Sequence, residues 1–184
     1  MDTLKRIIDS IMAFFAGLGR RDEPKPAGEV FAITHSEVKL LYPRVQAIFQ
    51  KLVNKIKDAG LDADIFMGLR TFEEQAKLYA KGRTEPGSIV TNSKPGYSFH
   101  NYGLAVDVVF KKSGGWSWDA SHDWSLLGRI GRELGLKWGG DWGWDKPHFE
   151  LDLGHKIEEL LEVFNKSKDL EDVWAHLDVA PEPI

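Results

Sequence analysis

Ser98-Phe99-His100-Asn101-Tyr102-Gly103-Leu104-Ala105-Val106-Asp107 takes the chain out of a polar loop, through a glycine turn, and into an apolar run that continues to Phe110. The β-branched and apolar character of residues 104–110 reads as a strand. Asp107 stands in the middle of it. An unpaired charge buried there is costly, so the carboxylate needs a cation or a metal beside it. The answering half is Gly139-Gly140-Asp141-Trp142-Gly143-Trp144-Asp145-Lys146-Pro147-His148-Phe149-Glu150. Pro147 keeps the residues before His148 from being helical, so Asp145 and His148 are presented from a turn that leads into a short extended piece over 148–151. His100, Asp107 and His148 converge if that piece pairs beside the strand. Two imidazoles and a carboxylate, with Asp145 in reserve, suit a catalytic zinc that keeps one position open.

The rest of the composition narrows the alternatives. In 184 residues with 42% hydrophobic content there is room for one full core, and the domain is expected to carry short tails. The formal net charge is −4. Basic groups lead near the amino terminus and acidic groups near the carboxyl terminus, which leaves a nearly neutral body without a basic stripe and argues against nucleic acid as a partner. Cysteine is absent, so a metal can be held only by histidine and carboxylate. Leu4, Ile7, Ile8, Ile11, Met12, Phe14, Phe15 and Leu18 fall at helical spacing, too short a stretch to span a bilayer. Flanked by Lys5, Arg6, Arg20 and Arg21, this segment reads either as a helix docked on its own domain or as a membrane-surface helix or uncleaved export signal.

Taken in order, residues 1–28 are expected to form the amphipathic helix and a proline-containing linker, 29–155 the main domain, and 156–184 a helix and acidic tail. A helix is expected from about Glu37 to Ala59 after an N-cap at Ser36, with Pro43 in its first turns. A strand follows over 63–68, then a capping box, Thr71 with Glu74, opening a helix over 72–81. Arg70 lies at that junction. It reads either as a surface arginine paired with Glu73 or Glu74, or as a planar fork for a substrate carboxylate or developing oxyanion. Residues 83–97 and 111–122 read as loops, and 124–134 as a helix with Leu126, Leu127, Ile130 and Leu134 inward. Trp138, Trp142 and Trp144 are either core corners or the lining of a groove for peptide or sugar. His35, His122, His155 and His176 each lack a converging partner in the sequence and are set aside as ligands. Glu150 shares the face of His148, either orienting that imidazole or fixed by a surface partner.

The pattern Ser98-x-His100-x-x-Gly103-x-Ala105-x-Asp107 followed by Asp145-x-Pro147-His148 resembles the zinc metallopeptidases of the D-alanyl-D-alanine carboxypeptidase/dipeptidase family. Gly139-Gly140-Asp141-Trp142 and the Asp145-to-Glu150 ending are most similar to its L-alanyl-D-glutamate endopeptidase branch, found in phage endolysins and bacterial wall hydrolases. The resemblance spans roughly residues 36–151, including Gly68-Leu69-Arg70-Thr71-Phe72-Glu73-Glu74-Gln75. It implies zinc on His100, Asp107 and His148, with Asp145 as the catalytic base. It also implies that Arg70 stabilises substrate or transition state and that Ser98 is an auxiliary polar contact. Trp142 and Trp144, by their placement between glycines just before His148, are the expected substrate-binding indoles. The carboxypeptidase and dipeptidase branches generally carry glutamate at the position of Asp145, so the shorter side chain favours the endopeptidase branch.

The expectation is therefore a single α+β domain with a small, largely antiparallel sheet, flanking helices and a zinc site on the open face. Its expected reaction is zinc-dependent hydrolysis of the peptidoglycan stem peptide between L-alanine and D-glutamate, by a monomer acting at the cell wall or in the periplasm, whether exported by a bacterium or released as a phage lysin. A D,D-carboxypeptidase and a non-catalytic zinc-containing binding module are the alternatives. A non-haem iron oxygenase uses the same ligand types but spaces its two early ligands more closely than His100 and Asp107.

Overall fold

Pro43 sets where the first long helix begins. The structure is a computed structural model and describes residues 37–179. The amphipathic segment at 4–18, the linker at 20–28, the expected domain start at Glu29, His35, the Ser36 cap and the end at 181–184 lie outside the described residues. In place of one helix from Glu37, a 3-10 turn at Val38–Leu40 is followed by extended Leu41 and Tyr42, and α1 spans Pro43–Asp58 with the proline in its first turn. The proline ring disfavours helical geometry in the residue before it, so the helix can start at Pro43 but cannot run through it. Helix α1 buries Val45, Phe49, Leu52, Val53 and Ile56 on one stripe. Burying such a side chain contributes about 1.5–3 kcal/mol.

Among the described residues five strands make an antiparallel sheet: β1 Ala63–Met67, β2 Ala105–Lys112, β3 Gly115–Ser117, β4 Lys137–Trp138 and β5 His148–Glu150. The order is β1-β2-β5-β4, with β3 paired to the far end of β2. The segment from Lys111, read from the sequence as a loop, opens instead as a hairpin. Lys111 and Lys112 prolong β2, and Ser113 and Gly114 both take positive φ (52° and 80°) before β3. Two consecutive residues in that conformation match the right-handed twist of the flanking strands, which is why so short a turn closes a hairpin.

Helix α2 covers Phe72–Ala80 with the Thr71–Glu74 capping box formed in both directions. Helix α3, Trp124–Glu133, is capped by the Asp123 carboxylate and buries Trp124, Leu127 and Ile130, with Leu126 and Leu134 partly buried. The acidic carboxyl-terminal segment folds as α4, Ile157–Ser167, and α5, Leu170–Leu177. Their Leu160, Val173 and Leu177 enter the same core as α1 and the sheet. Phe164 stacks on Phe72 at 4.1 Å, and Trp174 Nε1 donates to the Tyr102 carbonyl at 2.9 Å. No helix among the described residues is long and apolar enough to cross a membrane.

Candidate metal centre

Asp107 and His148 face each other because β2 and β5 pair in the register Asp107↔His148. Ladder neighbours on one face of an antiparallel pair bring their side chains into contact. His100 arrives from the 3-10 turn Phe99–Tyr102, which Gly103 reverses into β2 at φ 70°. A side chain at Gly103 would also collide with Tyr42, whose backbone nitrogen lies 2.8 Å from where its Cβ would sit. Glycine satisfies both demands. The His100 carbonyl then accepts the Arg70 backbone N–H at 3.0 Å, which ties the turn to the end of β1.

Three atoms meet as a nearly equilateral triangle. His100 Nε2 lies 3.1 Å from Asp107 Oδ1, His148 Nδ1 lies 3.3 Å from the same oxygen, and the two ring nitrogens are 3.2 Å apart. Three ligands on a tetrahedral zinc, each about 2.0–2.1 Å from it, stand roughly 3.3 Å from one another, so the donor triangle fits that ion. The outward atoms are also occupied. His100 Nδ1 contacts the Gly68 carbonyl at 2.7 Å, His148 Nε2 contacts Glu150 Oε2 at 3.0 Å, and Asp107 Oδ2 accepts Arg70 Nη2 at 3.1 Å. Such outer partners fix the tautomers and turn the inner nitrogens toward the common point.

Electrostatics follows from this crowding. Burial lowers the His100 pKa. Burial alone would raise Asp107, but His100, His148 and Arg70 hold it well below the usual carboxylate range. Burial likewise opposes charge on His148, yet its bonds to Asp107 and Glu150 prevail and push it up to about 9. Asp145 is pushed up to about 6, first by burial and then by the Asp107 charge, against the opposing influence of His148 and Arg70. Asp145 is held from both sides by backbone: its N–H donates to Gly139 O at 3.3 Å, and its carbonyl accepts from His148 N at 3.1 Å.

Arg70 is buried, and Glu73 and Glu74 are not its partners. Its Nη1 donates to Gln75 Oε1 at 2.8 Å while Nη2 holds Asp107, and its Nε has no partner among the described residues. Gln75, fully buried, is anchored in turn on the Ser93 carbonyl at 2.7 Å. Asn101 bonds the Arg70 carbonyl and the Gly96 N–H. Neither Gln75 nor Asn101 is assigned a role from sequence; both lie in stretches that carry the resemblance, and the available signal for Gln75 is its place one helical turn beyond an arginine at a strand-to-helix junction. Ser98 precedes the His100 turn without a side-chain cap bond. The tryptophans divide. Trp138 is buried and donates to the Lys146 carbonyl, whereas Trp142 and Trp144 are 46% and 61% exposed, with the Trp142 ring 5.5 Å from that of His148. Glu150 is buried against His148 and is not fixed at the surface. His122 stacks on Phe110 and meets Ser117, while His155 and His176 come together on Glu159.

Comparison with known proteins places these residues in context. A family profile described as D-alanyl-D-alanine carboxypeptidase matches residues 91–151, the stretch that carries all three triangle residues and Asp145. The chain is similar to the peptidoglycan L-alanyl-D-glutamate endopeptidase CwlK of Bacillus subtilis (strain 168), 40% identical over 122 residues that cover 60% of this chain and 73% of that protein. Among solved structures it is similar to the L-Ala D-Glu endopeptidase ChiX of Serratia marcescens, at 24% identity and a TM-score of 0.45, covering 66% of this chain and 87% of that one. The L,D-carboxypeptidase DacB from Streptococcus pneumonia is similar at 24% identity and a TM-score of 0.47, covering 65% of this chain and 70% of the other.

Proposed function

This chain belongs to the D-alanyl-D-alanine carboxypeptidase family of peptidases, and we propose that it is a zinc-dependent peptidoglycan hydrolase that cleaves the stem peptide between L-alanine and D-glutamate. The observation that carries this reading is the donor triangle of His100 Nε2, Asp107 Oδ1 and His148 Nδ1 with every outward atom engaged and Asp145 beside it. The choice of bond is supported by the 40% identical relative named for that cleavage.

His100, Asp107 and His148 would hold the zinc, which supplies Lewis acidity to acidify water and polarise the scissile carbonyl. Asp145 takes the proton from the attacking water on a carboxylate oxygen and delivers it to the leaving amine as the C–N bond breaks. The products are a free carboxylate and a free amine. In the metal-free site burial and the Asp107 charge push Asp145 up to about 6, and a zinc beside it would draw it back down, so that its carboxylate is ionised and able to accept the proton at neutral pH. Arg70 holds Asp107 in place and brings fixed positive charge to the wall of the site, where negative charge develops on the carbonyl oxygen. Trp142 and Trp144 offer flat apolar faces at the rim to an extended peptide or its attached sugar, and Ser98 offers a hydroxyl at the start of the His100 turn.

Digestion of purified peptidoglycan by the zinc-loaded chain, with mass spectrometry of fragments and identification of the new amino termini, tests this reading. New D-glutamate amino termini that disappear on chelation and return with zinc are the expected result. Release of free D-alanine would assign the carboxypeptidase reaction that the family description names. No release from zinc-containing protein would overturn the peptidoglycan reading.

A further inference from the structure

A second histidine–carboxylate–histidine cluster lies where the last two helices meet. His155 stands just before α4, and Glu159 lies in that helix's first turn. One carboxylate oxygen of Glu159, Oε2, receives the Lys156 backbone N–H at 3.4 Å, which caps the helix and turns the other oxygen outward. Oε1 then lies 3.1 Å from His155 Nδ1 and 2.5 Å from His176 Nε2, which comes from the last turn of α5. The two rings are 5.4 Å apart at 60°; those of His100 and His148 are 5.0 Å apart at 63°. One carboxylate oxygen shared by two imidazoles is thus repeated in both places, and at the second the His176–Glu159 hydrogen bond has to open from 2.5 Å to roughly 3.3 Å to admit a tetrahedral ion.

From this convergence we infer that His155, Glu159 and His176 form a second metal site, for zinc, that ties α4 to α5. The donor set fits zinc among the transition ions that imidazole favours, whereas magnesium and calcium take oxygen ligands. The carboxylate already turns one oxygen toward both rings. His155 is 3% exposed, and its other nitrogen has no partner among the described residues, so the polar contact of that ring is concentrated on the nitrogen facing Glu159. The Glu159 and His176 side chains are about one-third exposed, at 38% and 34%, which leaves solvent a path to complete the coordination.

The site has a structural consequence for the first. Helix α5 lays Val173 and Leu177 into the core and bonds through Trp174 to the Tyr102 carbonyl, in the same turn that presents His100. A cation joining α5 to α4 clamps the helix behind that turn. The inference does not depend on the peptidase reading, because it concerns other residues.

Zinc titration of the metal-stripped full chain, followed by calorimetry and elemental analysis, tests it. Two equivalents are expected for the native chain and one for His176→Gln. The His100→Ala, His148→Ala double variant should keep one equivalent and still show a thermal midpoint that rises with zinc. Glu159→Gln, which preserves side-chain shape, should also bind one equivalent and guards against misfolding of the histidine variant. A single equivalent in the native chain that is lost in the His100→Ala, His148→Ala double variant, or a second that survives both His176→Gln and Glu159→Gln, would overturn the inference and leave a hydrogen-bonded triad.

Discussion

The strand-borne cluster of His100, Asp107 and His148 and the helix-borne cluster of His155, Glu159 and His176 use the same three donor types, yet their surroundings differ. In the first, both outward ring nitrogens are engaged, by Gly68 and Glu150, and the carboxylate's second oxygen is held by a buried arginine. In the second, the outward nitrogen of His155 is unpartnered among the described residues and the other two side chains reach solvent. The first also has a carboxyl group, Asp145, pushed up toward neutrality beside it. On the proposed reading, donors alone offer a place for a cation, while fixed outer partners and a neighbouring carboxyl group fit it for chemistry.

The comparison can be broken most sharply by removing a donor. His100→Ala or His148→Ala should reduce hydrolysis to background and remove one zinc equivalent, whereas substitutions at His155 or His176 should leave turnover intact. Activity surviving in His148→Ala would move the chemistry elsewhere. A smaller effect is expected from Gly139→Ala, since the added Cβ would lie 2.4 Å from the Asp145 carbonyl oxygen and 3.0 Å from the His148 Cβ. Relief requires the turn to shift, and displacement on that scale costs about 10²-fold in turnover. Glu150→Gln removes the charged outer partner of His148, so zinc affinity or activity should fall by roughly 10–100-fold.

The pH dependence of the metal-free chain sharpens the contrast further. His148 is raised from 6.5 to about 9, so its contribution to stability is fully present below 6.5 and is lost as pH rises through about 9. Denaturant unfolding of metal-free protein across that window should show the decline. His148→Gln should flatten it. Zinc uptake at pH 7 should correspondingly expel a proton, measurable by calorimetry in buffers of different ionisation enthalpy. The smallest effect on chemistry is expected from His176→Gln, with turnover within about twofold of native. That variant should nevertheless forfeit zinc-linked stabilisation, about 2.7 kcal/mol when free zinc is 100 times the dissociation constant.

The two clusters were unequally legible in the sequence. Asp107 stood out because a carboxylate in an apolar strand demands a partner, and Pro147 announced an extended His148 beside it. His155 and His176 lie next to or within amphipathic helices, where a histidine is ordinary. Their meeting depends on the reversal between α4 and α5 at Lys168, with φ at 59°, which no periodicity reveals. Arg70 was visible as a residue at a strand-to-helix junction, but not its engagement by Gln75, because that contact depends on where the loop carrying Ser93 returns. The start of α1 was misread because helical periodicity continued through Leu40 and Leu41, whose burial is satisfied by a turn and an extended pair ahead of Pro43. Strands β1 and β2 were more readily legible, since they carry apolar runs, and so was a pairing of the His148 segment beside β2; the sheet order was not, and β3 and β4 were not read as strands.

The most direct test of the account measures zinc content and peptidoglycan hydrolysis on the same sample of Asp145→Asn. The substitution keeps side-chain size and removes the proton acceptor. The account predicts unchanged zinc per chain with hydrolysis reduced by about 10²–10⁴-fold, the usual worth of a positioned general base. Full hydrolysis by the zinc-loaded variant would contradict it and remove Asp145 from the reaction.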